Sequence, residues 1–208
     1  MLVSAAVAGC AGQQPHEFPI ARVTERAQLR AAPAGRVVAR IGRSTKYGNP
    51  RVYRVVGRRG RWIGVLAPQR PNGRAAWIAV EHVELGSVRW SITIDRSARH
   101  LTLHRSGQVV NRMLVTVGAP SSPTPLGRFA VTDKLWLKPD STYGCCALAL
   151  SGAQTRGRLA GVRLAIHGTP ARERLGRAAS NGCARAGARD LRRLMRRVPR
   201  GTPVTVVR

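Results

Sequence analysis

Short β-prone runs cut by turn residues dominate this chain and leave room for only one helix. Residues 36–41, 51–56, 61–66 and 75–80 are rich in Val, Ile, Tyr and Trp, and the turns at 48–50, 57–60 and 71–73 carry Gly, Pro and Asn. The pattern resumes at 90–95, 100–104, 109–117 and 127–132, with polar turns at 96–99 and 105–107 making a β-meander of the first three. Residues 135–161 are expected to hold little regular structure. Helical spacing is found only where Ala188, Leu191, Leu194, Met195 and Val198 recur with Arg189, Arg192, Arg193, Arg196 and Arg197 on the other faces. Pro199-Arg200-Gly201 stops that helix, and residues 202–207 read as a last strand. The fold class is therefore mainly β.

At 208 residues the chain can hold two small cores. The expected division is a leader and tether over residues 1–19, a small β module over 20–86, and a larger β-rich domain over 90–208. The spaced Trp62-Ile63-Gly64-Val65 and Trp77-Ile78 pairs resemble bacterial SH3-like modules, which implies a small β-barrel with the tryptophans mainly in its core. Val7-Ala8-Gly9-Cys10 fits a bacterial lipobox, so lipid attachment at Cys10 is the expected membrane link, an ordinary secretion signal being the alternative. The chain contains no run of 18 apolar residues that could form a spanning helix.

The net charge of +27 is almost wholly arginine, the lysines being Lys46, Lys134 and Lys138. The arginines spread over every segment and no base-stacking aromatic motif accompanies them. This argues against a dedicated nucleic-acid partner and for a general affinity for polyanions, anionic envelope polymers included. Cys10, Cys145, Cys146 and Cys183 lack the spacing of a zinc site, and no metal is expected. The adjacent Cys145 and Cys146 can be a vicinal disulfide or two free thiols, the free pair being the simpler state. His100 and His104 share a strand face but have no third ligand in the sequence nearby and read as surface residues.

His167 and Cys183 stand sixteen residues apart, too far for one helical face, so any meeting requires the chain to fold back between them. Gly168, Pro170, Gly176 and Gly182 suit that return. An imidazole beside a thiol supports nucleophilic catalysis, Gly182 lets the backbone approach a substrate, and Arg185 favours a thiolate by its charge.

The residues His167-Gly168-Thr169, Leu175-Gly176 and Ser180-Asn181-Gly182-Cys183-Ala184-Arg185 resemble the catalytic core of L,D-transpeptidases of the YkuD type. A second motif lies upstream, where Gly118, Thr124-Pro125, Gly127 and Phe129 match the family's Gly-x-x-x-x-x-Thr-Pro-x-Gly-x-Phe. The resemblance covers residues 90–207. It implies Cys183 as nucleophile, His167 as general base and acid, and the Gly168 carbonyl as the group that orients His167. It further implies N–H groups at Gly182 and Cys183 for the oxyanion, and Ser180, Asn181, Arg185 and Thr169 as the substrate-binding set. Asn181 stands where many members carry His. No metal or organic cofactor is needed. The implied substrate is the peptidoglycan stem peptide, handled outside the cytoplasmic membrane by a monomer. An L,D-carboxypeptidase on the same site and a catalytically silent wall-binding lipoprotein are the alternatives.

Overall fold

The computed structural model describes residues 17–138 and 141–208, and the lipobox at Cys10 lies outside them. Among the described residues the strands sort into two sheets. The first comprises β1 (Phe18–Val23), β2 (Ala27–Arg30), β3 (Val37–Ile41), β4 (Val52–Arg59), β5 (Trp62–Leu66), β6 (Ala76–Ala79) and β7 (Val83–Val88), in the order β3-β2-β6-β5-β4-β1-β7. Its core is Ala21, Val23, Leu29, Tyr53, Ile63, Val65 and Ile78. Three of its strands, β1, β2 and β7, were not separable in the sequence because Arg, Glu and Gln interrupt their apolar residues. Trp62 and Trp77 are half-buried at the edge of this core, where Arg30 and Arg59 stack on their rings, instead of filling it.

The second sheet comprises β8 (Trp90–Asp95), β9 (His100–Arg105), β10 (Gln108–Gly118), β11 (Gly127–Trp136), β12 (Cys146–Ala153), β13 (Arg163–Gly168), β14 (Ala178–Ser180), β15 (Ala184–Ala186) and β16 (Pro203–Val207). Its order is β14-β10-β15-β13-β12-β11-β16-β8-β9, and β9 pairs again with β10, so the ladder closes on itself. β10 makes the closure possible by being long: its first half pairs with β9, Val115 and Thr116 pair with β15, and Val117 and Gly118 pair with β14. Inward-facing Ile92, Ile94, Leu101, Leu103, Val115, Phe129, Val131, Leu148 and Ile166 fill the interior.

The expectation of little regular structure over 135–161 does not hold. β11 runs on to Trp136, and Cys146–Ala153 is a strand between β11 and β13. The alternation that marks a strand is missing from Cys-Ala-Leu-Ala-Leu because both faces are covered, seven successive residues from Cys146 being buried. One cover is α1 (Ala188–Arg197), whose Leu191, Leu194 and Met195 are buried against the second core while Arg189 and Arg196 point outward. Val198 caps it by donating its N–H to the Leu194 carbonyl.

The sheets meet at Asn72. Its side-chain amide donates to the Ala153 carbonyl at 2.7 Å and accepts from the Ala153 N–H at 2.9 Å, completing the end of β12 as a strand neighbour would.

Candidate active site

The chain folds back between His167 and Cys183 by way of β10. After β13 ends at Gly168, a short 3₁₀ turn at Arg172–Arg174 reverses the direction, and Thr116 Oγ1 holds that turn by donating to the Arg174 carbonyl at 2.6 Å. β14 then lies parallel to β10, a bend follows at 181–183, and β15 returns between β10 and β13. In the parallel β13–β15 ladder His167 faces Arg185 and Ile166 faces Ala184, which puts Cys183 level with Ala165. The even-numbered residues Leu164, Ile166, Ala184 and Ala186 point into the core. His167, Cys183 and Arg185 therefore share the opposite face, His167 and Cys183 as diagonal neighbours on adjacent strands. Among the described residues no hydrogen bond yet joins the thiol to the imidazole, as is common in unliganded sites.

The His167 ring is fixed by its own loop. Nδ1 lies 2.6 Å from the Gly168 carbonyl oxygen, so Nδ1 carries the proton and Nε2 is left to accept one. The Tyr143 ring packs edge-on at 4.9 Å, and the Tyr143 backbone carbonyl also favours the protonated ring. Burial nevertheless dominates and pulls His167 down to about 4, helped by the Arg185 charge. Burial also pushes the Cys183 thiol up, against the Ala165 N–H and Arg185, which pull it down. Burial thus works against the expected thiolate: removal from water outweighs the Arg185 charge and favours the neutral thiol and the neutral imidazole.

The remaining expected residues divide into two groups. Arg185 faces the site with a buried Nε that has no hydrogen-bond partner among the described residues, and the Asn181 side chain is exposed at the bend. Ser180 and Thr169, expected to hold substrate, are instead buried and turned onto the backbone. Ser180 Oγ donates to the Cys183 carbonyl at 2.6 Å and accepts from the Gly182 N–H at 3.0 Å, while Thr169 Oγ1 accepts from the Ala171 N–H at 3.1 Å. That bond also corrects the expected oxyanion pair. The Gly182 N–H is already taken by Ser180 Oγ.

Gln154 is a site residue that motif reading missed. Its buried Nε2 donates to the Asn181 carbonyl at 2.9 Å and to Ser122 Oγ at 3.0 Å, and its Oε1 accepts from the Thr155 N–H at 2.7 Å. It clamps the bend before Cys183 to the proline-rich loop after β10. Gly182, at φ 121°, passes directly over it, and a Cβ there would collide with Nε2. The same loop explains Gly118, since a Cβ at that position would strike the backbone of Ser122 and Thr124. A polar glutamine at the end of an apolar strand was the available signal. Tyr143 was also missed as a neighbour of His167.

A closed β-sheet presenting a ring-locked histidine beside a cysteine from the next strand is the arrangement expected of L,D-transpeptidase catalytic domains. Residues 89–206, more than half of the chain, match the model of that family, YkuD, the L,D-transpeptidase catalytic domain. The chain belongs to this family. The Bacillus subtilis protein YkuD is 30% identical over 122 residues, 59% of this chain and 68% of the relative. The solved L,D-transpeptidase from Mycobacterium smegmatis superposes with a TM-score of 0.50 at 15% identity, covering 88% of this chain and 99% of that one. Against a mutant L,D-transpeptidase of Enterococcus faecium the chain covers 57% of itself and about half, 49%, of that protein, at 21% identity and a TM-score of 0.45.

Proposed function

We propose that the protein is a cell-envelope L,D-transpeptidase that modifies peptidoglycan stem peptides through a thioester on Cys183. In this reading residues 90–208 form the catalytic unit and residues 20–86 an SH3-like module turned toward the wall. The observation that carries it is the His167 ring: held at Nδ1 by the Gly168 carbonyl, on the face it shares with Cys183.

The steps follow from that arrangement. As Cys183 Sγ bonds to the carbonyl carbon of the L-residue at the third stem position, its proton passes to His167 Nε2. A neutral, weakly basic imidazole takes the proton only as the sulfur becomes bonded, so thiol deprotonation and attack are concerted. The Cys183 N–H faces the developing oxyanion. The peptide bond breaks, the imidazolium returns its proton to the leaving amine, and the terminal D-residue departs. An acceptor amine then attacks the thioester and gives its proton to His167, which returns it to the departing Cys183 sulfur and restores the neutral pair. Arg185, with its unused Nε, receives a carboxylate of the stem, and Asn181 lines the entrance. No metal or organic cofactor enters.

Mass spectrometry of a stem tetrapeptide incubated with the protein, with and without an acceptor amine, tests the reading. The expected product is the acceptor adduct with loss of the terminal D-residue. Hydrolysis alone would make the protein an L,D-carboxypeptidase, and an unchanged peptide would leave a silent wall-binding protein. Lipid attachment at Cys10, the proposed anchor, predicts detergent-phase partitioning of the mature product in a bacterial host, lost in Cys10→Ala. A wild-type product that stays aqueous refutes it.

A further inference from the structure

The loop that braces His167 runs directly into two adjacent thiols with no part in the chemistry above. Cys145 Sγ and Cys146 Sγ lie 2.7 Å apart, both free. Cys146 is fully buried in the second core, whereas Cys145 is half-buried and reaches toward the Ala188 carbonyl at the start of α1. Adjacent residues in an extended strand point to opposite faces, so a contact this close means that the backbone already turns the two sulfurs together.

The same backbone presses on the site. A Cβ on Gly144 would lie 2.8 Å from the carbonyl carbon of Gly168, the residue whose oxygen holds the His167 ring. Tyr143 packs its ring edge against the imidazole. Gly144 sits at φ 70°, its N–H held by the Ser141 carbonyl, and the Cys145 carbonyl accepts from the Leu137 N–H at 3.0 Å. Residues 143–145 thus form a strap with contacts on both sides and little slack.

We infer that Cys145 and Cys146 are a reversible oxidation site, closed to a vicinal disulfide by peroxide-class oxidants, and that closure shifts the Tyr143–Gly144 strap against His167–Gly168 and slows acyl transfer at Cys183. The catalytic half of this inference rests on the reading of Cys183 and His167 given above. The first step falls to Cys145, the more accessible sulfur: peroxide converts its thiol to a sulfenic acid and releases one water. The Cys146 sulfur then attacks the Cys145 sulfur, the hydroxyl leaves with the Cys146 proton as a second water, and the S–S bond forms. Burial and the neighbouring sulfur push Cys146 up to about 12, so it is not the first to react, and its place as the resolving sulfur follows from the 2.7 Å contact. The ring is necessarily tight. Consecutive α-carbons stand about 3.8 Å apart across a trans peptide, below the roughly 4.4–6.8 Å of ordinary disulfides. Closure must therefore distort the 145–146 peptide, and the bond stays easily reducible.

The test oxidises the full chain with hydrogen peroxide, alkylates and digests it, and in parallel follows Cys183 acylation by a carbapenem. The expected outcome is a Cys145–Cys146 peptide lighter by two hydrogens and closed to alkylation, with Cys183 still alkylatable. Acylation should slow about tenfold or more and recover with dithiothreitol, as a displaced base would require. Cys145→Ser should acylate at the untreated rate before and after oxidant. Free alkylation of both thiols after peroxide overturns the site, and a closed disulfide with unchanged acylation, or equal slowing in Cys145→Ser, overturns its link to His167. If the reduced protein acylates nothing, the catalytic reading fails instead. The His167 imidazole resonance then decides whether closure reaches the ring: a shift on oxidation, absent in Cys145→Ser, upholds the link, and an unmoved resonance overturns it.

Discussion

Gln154 Nε2 holds the Asn181 carbonyl at 2.9 Å, one residue before the glycine that carries the chain over it to Cys183. The bend at 181–183 is thus set from outside its own motif, by a side chain 27 residues upstream. Gly182→Ala should fail twice, on the positive φ and on the collision with Gln154. We expect acylation of Cys183 to fall by about 10²-fold or more, the scale of a 1 Å misplacement. Backbone strain should cost about 1–3 kcal/mol of stability. Gln154→Glu, which keeps the shape but cannot donate, should lower the acylation rate while leaving Gly182 its room. Single-turnover carbapenem kinetics with a thermal melt checks both, and wild-type rates in either variant would refute the clamp.

The base itself is tested by His167→Ala, which should slow Cys183 acylation by about 10²–10⁴-fold, the usual share of a positioned general base. Peptide mapping should find the single adduct on Cys183. An adduct on Cys145 or Cys146, or equal rates with and without His167, would remove the catalytic assignment.

The pH profile follows from the same burial. His167 is pulled down to about 4, so it stays neutral and able to accept a proton well below the usual histidine range. The acid limb of kcat/KM should fall near pH 4, not near 6.5, and a limb at 6.5 would contradict the buried ring. The stability consequence has a definite sign. A histidine whose pKa is lower folded than unfolded leaves stability intact above about 6.5 and removes it as pH falls from there through about 4. The loss approaches roughly 3 kcal/mol at 1.36 kcal/mol per unit. His167→Gln should flatten that part of the stability curve in denaturant melts.

Asp133 is fully buried and its Oδ2 meets Arg163 at 2.6 Å, while Arg163 Nε donates to the Leu150 carbonyl at 2.8 Å. The pair ties β11 to β13 across the covered strand β12. Asp133→Ala strands the guanidinium and should cost about 3–5 kcal/mol in equilibrium unfolding. A loss below 1 kcal/mol would mean that Arg163 finds water instead.

Leu191 and Leu194 of α1 were legible because a helix against a core shows its burial as period. The cost of Leu191→Ala, about 2–5 kcal/mol in the same melts, follows directly from its complete burial. The strand Cys146–Ala153 was not legible, because a strand covered on both faces loses the alternation that would announce it.

By itself the sequence determined the class of fold and singled out His167 and Cys183 as the candidate pair. Period-two runs between glycine and proline turns can only be strands, and a His-Gly-Thr with a Ser-Asn-Gly-Cys is a local chemical pattern that does not depend on distant contacts. The tertiary structure alone decided what surrounds that pattern. It closed the second sheet through β10, used Ser180 Oγ to take up the Gly182 N–H, brought Gln154 under the bend, and set Asn72 of a distant turn against the end of β12. It also set the direction in which the pair is shifted, toward the neutral forms, since burial of His167 and Cys183 is a property of the packed sheet and outweighs the arginine that the motif places beside them.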